Sequence, residues 1–165
     1  MNLLHLSDLH YKQRKEALVE APNLYEKDFY AWSRESARLM RERKFSELDI
    51  ENIAEEIEAM GKRDKRELAS RLSSLLMHLL KCRYEAEYRS RSWKLTIMNQ
   101  RAEIAGLLKD SPSLSHKLPD MIAGAYSRAK KTAALETGLP AATFPEACPY
   151  SQDEILDAEF LPKEI

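Results

Sequence analysis

Apolar residues recur at spacings of three and four from Phe29 to Ala133, and that period restricts the chain to helices. Phe29, Trp32, Ser36, Leu39 and Met40 fall on one face of a helix ending near Arg43. Asp49 stands at the expected N-cap of a second helix, and Ile50, Ile53, Ile57 and Met60 form its apolar stripe. Gly61 is placed to end that helix by taking the left-handed conformation. Leu68, Leu72, Leu75, Leu76, Leu79 and Leu80 predict a third helix running to about Tyr84, whose leucine density marks it as the most buried element.

The polar stretch Glu85–Arg91 interrupts the pattern, and Ser92 is the expected N-cap of the helix carrying Trp93, Ile97, Ile104, Leu107 and Leu108. Asp110-Ser-Pro-Ser113 reads as a turn. Another helix is predicted from about Pro119, with Ile122, Ala125, Tyr126, Ala129 and Ala133 inward and a stop at Gly138 and Pro140. Leu139–Ile165 holds four of the seven prolines and reads as an irregular strap. Within it Ser151 and Glu154 form a capping box for a short helix through Asp157, and Phe144, Tyr150, Ile155, Leu156 and Phe160 can pin the strap down. Residues 1–23 are read as an N-terminal extension, helical from Gln13 to Ala21, and residues 24–162 as the bundle domain. The expected fold is all-α: an antiparallel bundle of about five main helices with an irregular C-terminal strap.

Composition narrows the functional classes. Only four glycines occur, at 61, 106, 124 and 138, which argues against tight hairpins and Gly-rich phosphate loops. A net charge of −1 supplies no global basic field for nucleic acid or an anionic membrane. Cys82 and Cys148 lie too far apart for a paired-thiol metal motif, so reduced, buried thiols and a cytoplasmic location are expected. No apolar run approaches the roughly 20 residues needed to span a bilayer, and Leu3–Leu6 is too short for a signal sequence.

Several segments occur in a characteristic order. Tyr25-Glu-Lys-Asp-Phe-Tyr-Ala-Trp32, Ile53-Ala-Glu-Glu-Ile-Glu-Ala-Met-Gly61 and Lys65-Arg-Glu-Leu-Ala-Ser-Arg-Leu72 come first. Leu76-Met-His-Leu-Leu-Lys81, Arg89-Ser-Arg-Ser-Trp93 and Gln100-Arg101 follow, then Ser111-Pro-Ser-Leu114, Thr137-Gly-Leu-Pro140 and Phe144-Pro-Glu-Ala-Cys-Pro-Tyr150. Over about residues 24–162 the chain resembles the bacterial family catalogued as domain of unknown function 29. The resemblance implies an all-α bundle and carries no activity with it. Cys82 stands where the family pattern leads one to expect tryptophan after Lys81.

The segment Leu3-Leu-His-Leu-Ser-Asp-Leu-His10 resembles the first motif of calcineurin-like metallophosphoesterases, in which Asp8 and His10 would be metal ligands. The remaining motifs of that family each begin with glycine followed by Asp, Asn or His. Here Gly61 is followed by Lys, Gly106 by Leu, Gly124 by Ala and Gly138 by Leu. Beyond residue 10 only His78 and His116 remain. Asp8 and His10 are therefore rejected as a metal site.

Glu51, Glu55 and Glu58 share a helix face at i, i+4 and i+7, where carboxylates can hold Mg²⁺ together with substrate phosphates. All-α nucleotide pyrophosphohydrolases use a Glu-x-x-Glu pair in this way, but the second acidic motif they need is missing between Gly61 and Lys109. A solvated acidic face partnered by Lys62, Arg63 and Lys65 accounts for the same residues. Neither His78 nor His116 has glutamate three residues before it, so a di-iron pattern is absent. Arg89, Arg91 and Arg101, near Trp93 and Tyr88, are the candidate phosphate contacts, and with the aromatics they would serve a nucleic-acid surface.

No catalytic set is complete, so a helical protein-interaction module without catalytic activity or cofactor is expected, binding another protein or a second copy. The alternatives are a Mg²⁺-dependent phosphate- or nucleotide-handling enzyme using the acidic face, and a nucleic-acid-binding module.

Overall fold

The computed structural model describes residues 24–85 and 90–163. The expected extension over residues 1–23, with its helix, Asp8 and His10, lies outside the described residues, as does Arg89. Helices α1 (Leu24–Lys27), α2 (Phe29–Arg41), α3 (Ile50–Tyr84), α4 (Arg91–Asp110), α5 (Leu118–Thr137) and α6 (Gln152–Leu156) account for most of the described chain, and no strand occurs among those residues. The chain divides into two compact units at Ala59 and Met60, with α3 beginning in the first and ending in the second.

In the first unit α1 and α2 are separated at Asp28, whose φ of −150° is not helical. Its carboxylate accepts from the Ala31 N–H at 2.9 Å and so caps α2. The Trp32 ring is buried and meets Tyr25 edge-on, with centroids 4.9 Å apart. Tyr25 donates its hydroxyl to the Glu56 carboxylate at 2.6 Å, tying α1 to the first turns of α3. After α2 the backbone reverses through Arg43 at φ 58°, and the Lys44 N–H returns to the Leu39 carbonyl at 2.9 Å. Asp49 caps α3 as expected, accepting from the Asn52 N–H at 3.3 Å.

One expectation about α3 is corrected. Gly61 does not end a helix; α3 runs through it, and the second and third predicted helices are one element of 35 residues. An interior glycine costs about 1 kcal/mol relative to alanine, too little to stop a ladder continued by the helix formers Lys62, Arg63, Lys65, Arg66 and Glu67. The apolar stripe of the first turns of α3 is largely open: Ile50 is 62% exposed and Ile57 and Met60 are each 63% exposed.

The second unit has the leucine-rich part of α3 at its centre. Leu68, Leu72, Leu75, Leu76, Leu79 and Leu80 are all fully buried. Helix α4 packs antiparallel to α3, since Asp64 pairs with Ser111 and Arg71 with Glu103. Helix α5 runs in the same direction as α3: Arg128 reaches the Ala69 carbonyl and Glu136 pairs with Lys81. Ala125, Ala129 and Ala133 of α5 present small side chains at intervals of four and are fully buried in the same core. The N-cap of α4 is Ser90 rather than Ser92: the Ser90 hydroxyl accepts from the Trp93 N–H at 3.3 Å, and Ser92 lies one residue inside the helix.

The end of α5 and the strap follow the sequence expectations. Gly138 adopts φ 72° and closes α5 through its N–H to the Ala134 carbonyl. The Ser151–Glu154 capping box is formed from both sides, at 2.8 and 3.2 Å. Phe144, Tyr150 and Ile155 are buried, and Leu156 and Phe160 pack partly against the same core. The Tyr150 hydroxyl donates to the Leu79 carbonyl at 3.1 Å, and the Tyr126 hydroxyl donates to the Pro145 carbonyl at 2.7 Å. No helix among the described residues is long and apolar enough to cross a membrane.

Two expected outcomes test this fold. An added Cβ at Gly61 meets nothing within 4 Å, so Gly61→Ala should raise stability by about 1 kcal/mol in urea denaturation. A glycine ending a helix in the left-handed region would give the opposite sign. Burial pushes the Tyr126 hydroxyl up to about 12 from its ordinary 10.0. Between those values the unfolded chain releases this proton and the folded one keeps it, so stability is intact below pH 10 and falls as pH rises toward 12. Denaturation midpoints at pH 9 and 11 should differ less in Tyr126→Phe than in the parent chain.

Candidate functional site

The first turns of α3 bring apolar and acidic side chains together in the first unit. Glu51, Glu55 and Glu58 are exposed, at positions that place them along one side of the helix. Glu56 is engaged by Tyr25, and that hydrogen bond raises the Tyr25 hydroxyl above its ordinary value. From Asp49 to Ala59 the chain carries five carboxylates and no basic residue. Ile50 and Ile57 stand open beside them, and Phe29 and Phe45 of the same unit are also exposed. Among the described residues, no group of three or more His, Cys, Asp or Glu side chains converges as a metal ion would require.

The arginines expected at phosphate have different surroundings. Arg91 is exposed in the first turn of α4. Arg101 is only 5% exposed and serves the strap. Its guanidinium donates to the carbonyls of Ile155 and Phe160 at 2.9 Å, Glu154 at 3.1 Å and Ala158 at 3.3 Å. With these N–H groups directed at main-chain oxygen, Arg101 is a structural clamp and does not present its fork to a ligand. Burial pulls the guanidinium below its ordinary value, although it remains a cation at neutral pH. Its role was hidden because all four acceptors lie more than fifty residues further along the chain.

The other singled-out side chains take structural places. His78 Nδ1 lies 3.0 Å from the Ser74 carbonyl, one turn back, and the ring is half-buried. His116 is exposed. Trp93 is half-buried against the core, with the Lys81 ammonium 4.4 Å from its ring centre. Lys81 is itself buried and pairs with Glu136 at 2.6 Å. Cys82 is buried, and burial pushes the half-buried Cys148 thiol above its ordinary value, away from nucleophilic reactivity.

A second feature was missed in the sequence. In the second unit, Arg66, Ser70 and Ser73 of α3 and Arg128 and Thr132 of α5 line an open groove of about 510 Å³. The spacing of Arg66, Ser70 and Ser73 marks one face of α3, but their position opposite Arg128 depends on the pairing of α3 with α5.

Residues 24–161 match the family described as Domain of unknown function DUF29. The chain belongs to that family. The DUF29 match covers all six described helices and begins after the Asp8–His10 segment. No curated protein and no solved structure matches the chain. The DUF29 description names no activity, so a functional reading has to rest on the chemistry of the exposed faces.

The clamp role of Arg101 has a measurable consequence. Lysine keeps the charge but cannot spread donors over four carbonyls, so Arg101→Lys should cost about 2–4 kcal/mol in chemical denaturation. Limited proteolysis should then cut the strap between Asp157 and Pro162 faster than in the parent chain.

Proposed function

We propose that this chain is a protein-interaction module that takes up an amphipathic helix of a partner on the first turns of α3. The observation that carries the reading is the uncovered pair Ile50 and Ile57, each more than three-fifths exposed and rimmed by acid. Ile50, Ile53, Ile57 and Met60 follow each other at +3, +4 and +3, the spacing by which one helix seats against another. Large apolar side chains left open along one helix face mark interaction surfaces more often than scattered ones do.

Charge favours a basic partner. Asp49, Glu51, Glu55, Glu56 and Glu58 would meet like charge in the same stretch of a second copy. They would complement a helix whose apolar stripe is flanked by lysine and arginine. Electrostatics then sets the choice of partner and burial of the isoleucines supplies most of the affinity.

A labelled model helix with leucines at i, i+3, i+4 and i+7 and lysines elsewhere tests this, beside the same peptide with glutamates in place of lysines. Fluorescence anisotropy should show binding of the lysine peptide only. Ile57→Glu should weaken it at least tenfold, about 1.4 kcal/mol, because apolar contact is lost. The variant adds negative charge, so purely electrostatic attachment would instead strengthen. Equal binding of both peptides, or undiminished binding by Ile57→Glu, defeats the reading. Concentration-dependent dimerisation in sedimentation that Ile57→Glu abolishes would replace the partner with a second copy.

A further inference from the structure

We propose that the groove between α3 and α5 in the second unit binds a small phosphomonoester, with Arg66 and Arg128 as the charged contacts. The site shares no residue with the face of α3 considered above and stands or falls separately. Its volume of about 510 Å³ lies in the range of small-molecule sites. The lining consists of two guanidinium groups, the hydroxyls of Ser70, Ser73, Ser74 and Thr132, and the apolar side chains of Ala69 and Met77. It contains no carboxylate.

Three observations set these residues apart from an ordinary solvated helix face. Arg38 and Arg71 are each paired with a glutamate at i±3 or i±4, whereas neither Arg66 nor Arg128 makes an ion pair among the described residues. Arg128 is held over the groove instead, because its Nη2 donates to the Ala69 carbonyl at 3.3 Å and its other N–H groups remain available. The hydroxyls of Thr96, Thr132 and Thr137 return to carbonyls one turn back, but those of Ser70, Ser73 and Ser74 take up no hydrogen bond among the described residues. The groove therefore collects unspent donors around two cations.

A phosphomonoester suits that set better than a carboxylate. It presents three acceptor oxygens and a charge of roughly −1.5 to −2 at neutral pH, enough for two guanidinium forks and a serine hydroxyl at once. Ala69 and the nearly buried Met77 offer an apolar bed for the organic part of the ligand.

Phenyl phosphate, inorganic phosphate and benzoate are the probes, titrated into the full chain at low salt and followed by amide chemical shifts. Phenyl phosphate should move the amides of residues 66–77 and 128–132, bind more tightly than inorganic phosphate, and exceed benzoate at least tenfold. Arg66→Gln with Arg128→Gln should abolish binding, and Ser70→Ala with Ser73→Ala should weaken it severalfold. Lys109→Gln, an exposed cation at the end of α4, should leave it unchanged. Shifts that spread over the surface, affinity for benzoate equal to that for phenyl phosphate, or binding that survives loss of both arginines would each overturn the assignment. Tighter binding of inorganic phosphate than of phenyl phosphate would overturn the organic part of it.

Discussion

The leucines at 68, 72, 75, 76, 79 and 80 form one broad stripe along α3, wider than a single packed neighbour covers, and water must be kept from all of it. Helices α4 and α5 pack along that stripe, and fully buried alanines line the inner face of α5. The same core is completed by Phe144, Tyr150 and Ile155 of the strap. The burial of these leucines explains why an irregular, proline-rich segment is held against regular secondary structure at all.

An irregular segment brings unpaired carbonyl groups with it, and each must be satisfied where water is excluded. The chain meets this demand with long polar side chains from the helices. Arg101 serves four carbonyls, while Tyr126 and Lys130 both donate to the carbonyl of Pro145. The buried guanidinium is costly to desolvate, but its donors are almost fully used, and that offsets the penalty. A single cation thus substitutes for the backbone ladder that a regular helix would have supplied.

Features set by neighbouring residues were readable in the sequence: the leucine face of α3, the inner face of α5, the stop at Gly138 and the capping box at Ser151. Features that depend on competition between local signals were not. Gly61 has the identity of a helix end, yet the helix formers after it keep the ladder going. Ser90 and Ser92 both suit an N-cap, and only the backbone decides between them. Long-range pairing was invisible: Arg101 meets residues 53 to 59 positions away, and Arg128 meets Ala69 across 59. Amphipathic spacing identified the apolar side of the first turns of α3, but whether anything covers a side is not encoded in the helix's own period.

The continuity of α3 through Gly61 has a consequence for its dynamics. One uninterrupted hydrogen-bond ladder passes from a stretch with open side chains, around Ile50 and Ile57, to a stretch locked into the core beyond Leu68. Amide protons in the second stretch are released to solvent only when the leucine core opens, whereas those in the first can be released by fraying of a few turns. The same helix therefore holds its slowest- and fastest-exchanging amides some four turns apart, and whatever settles on the acidic, isoleucine-bearing turns would be felt first as a loss of that contrast.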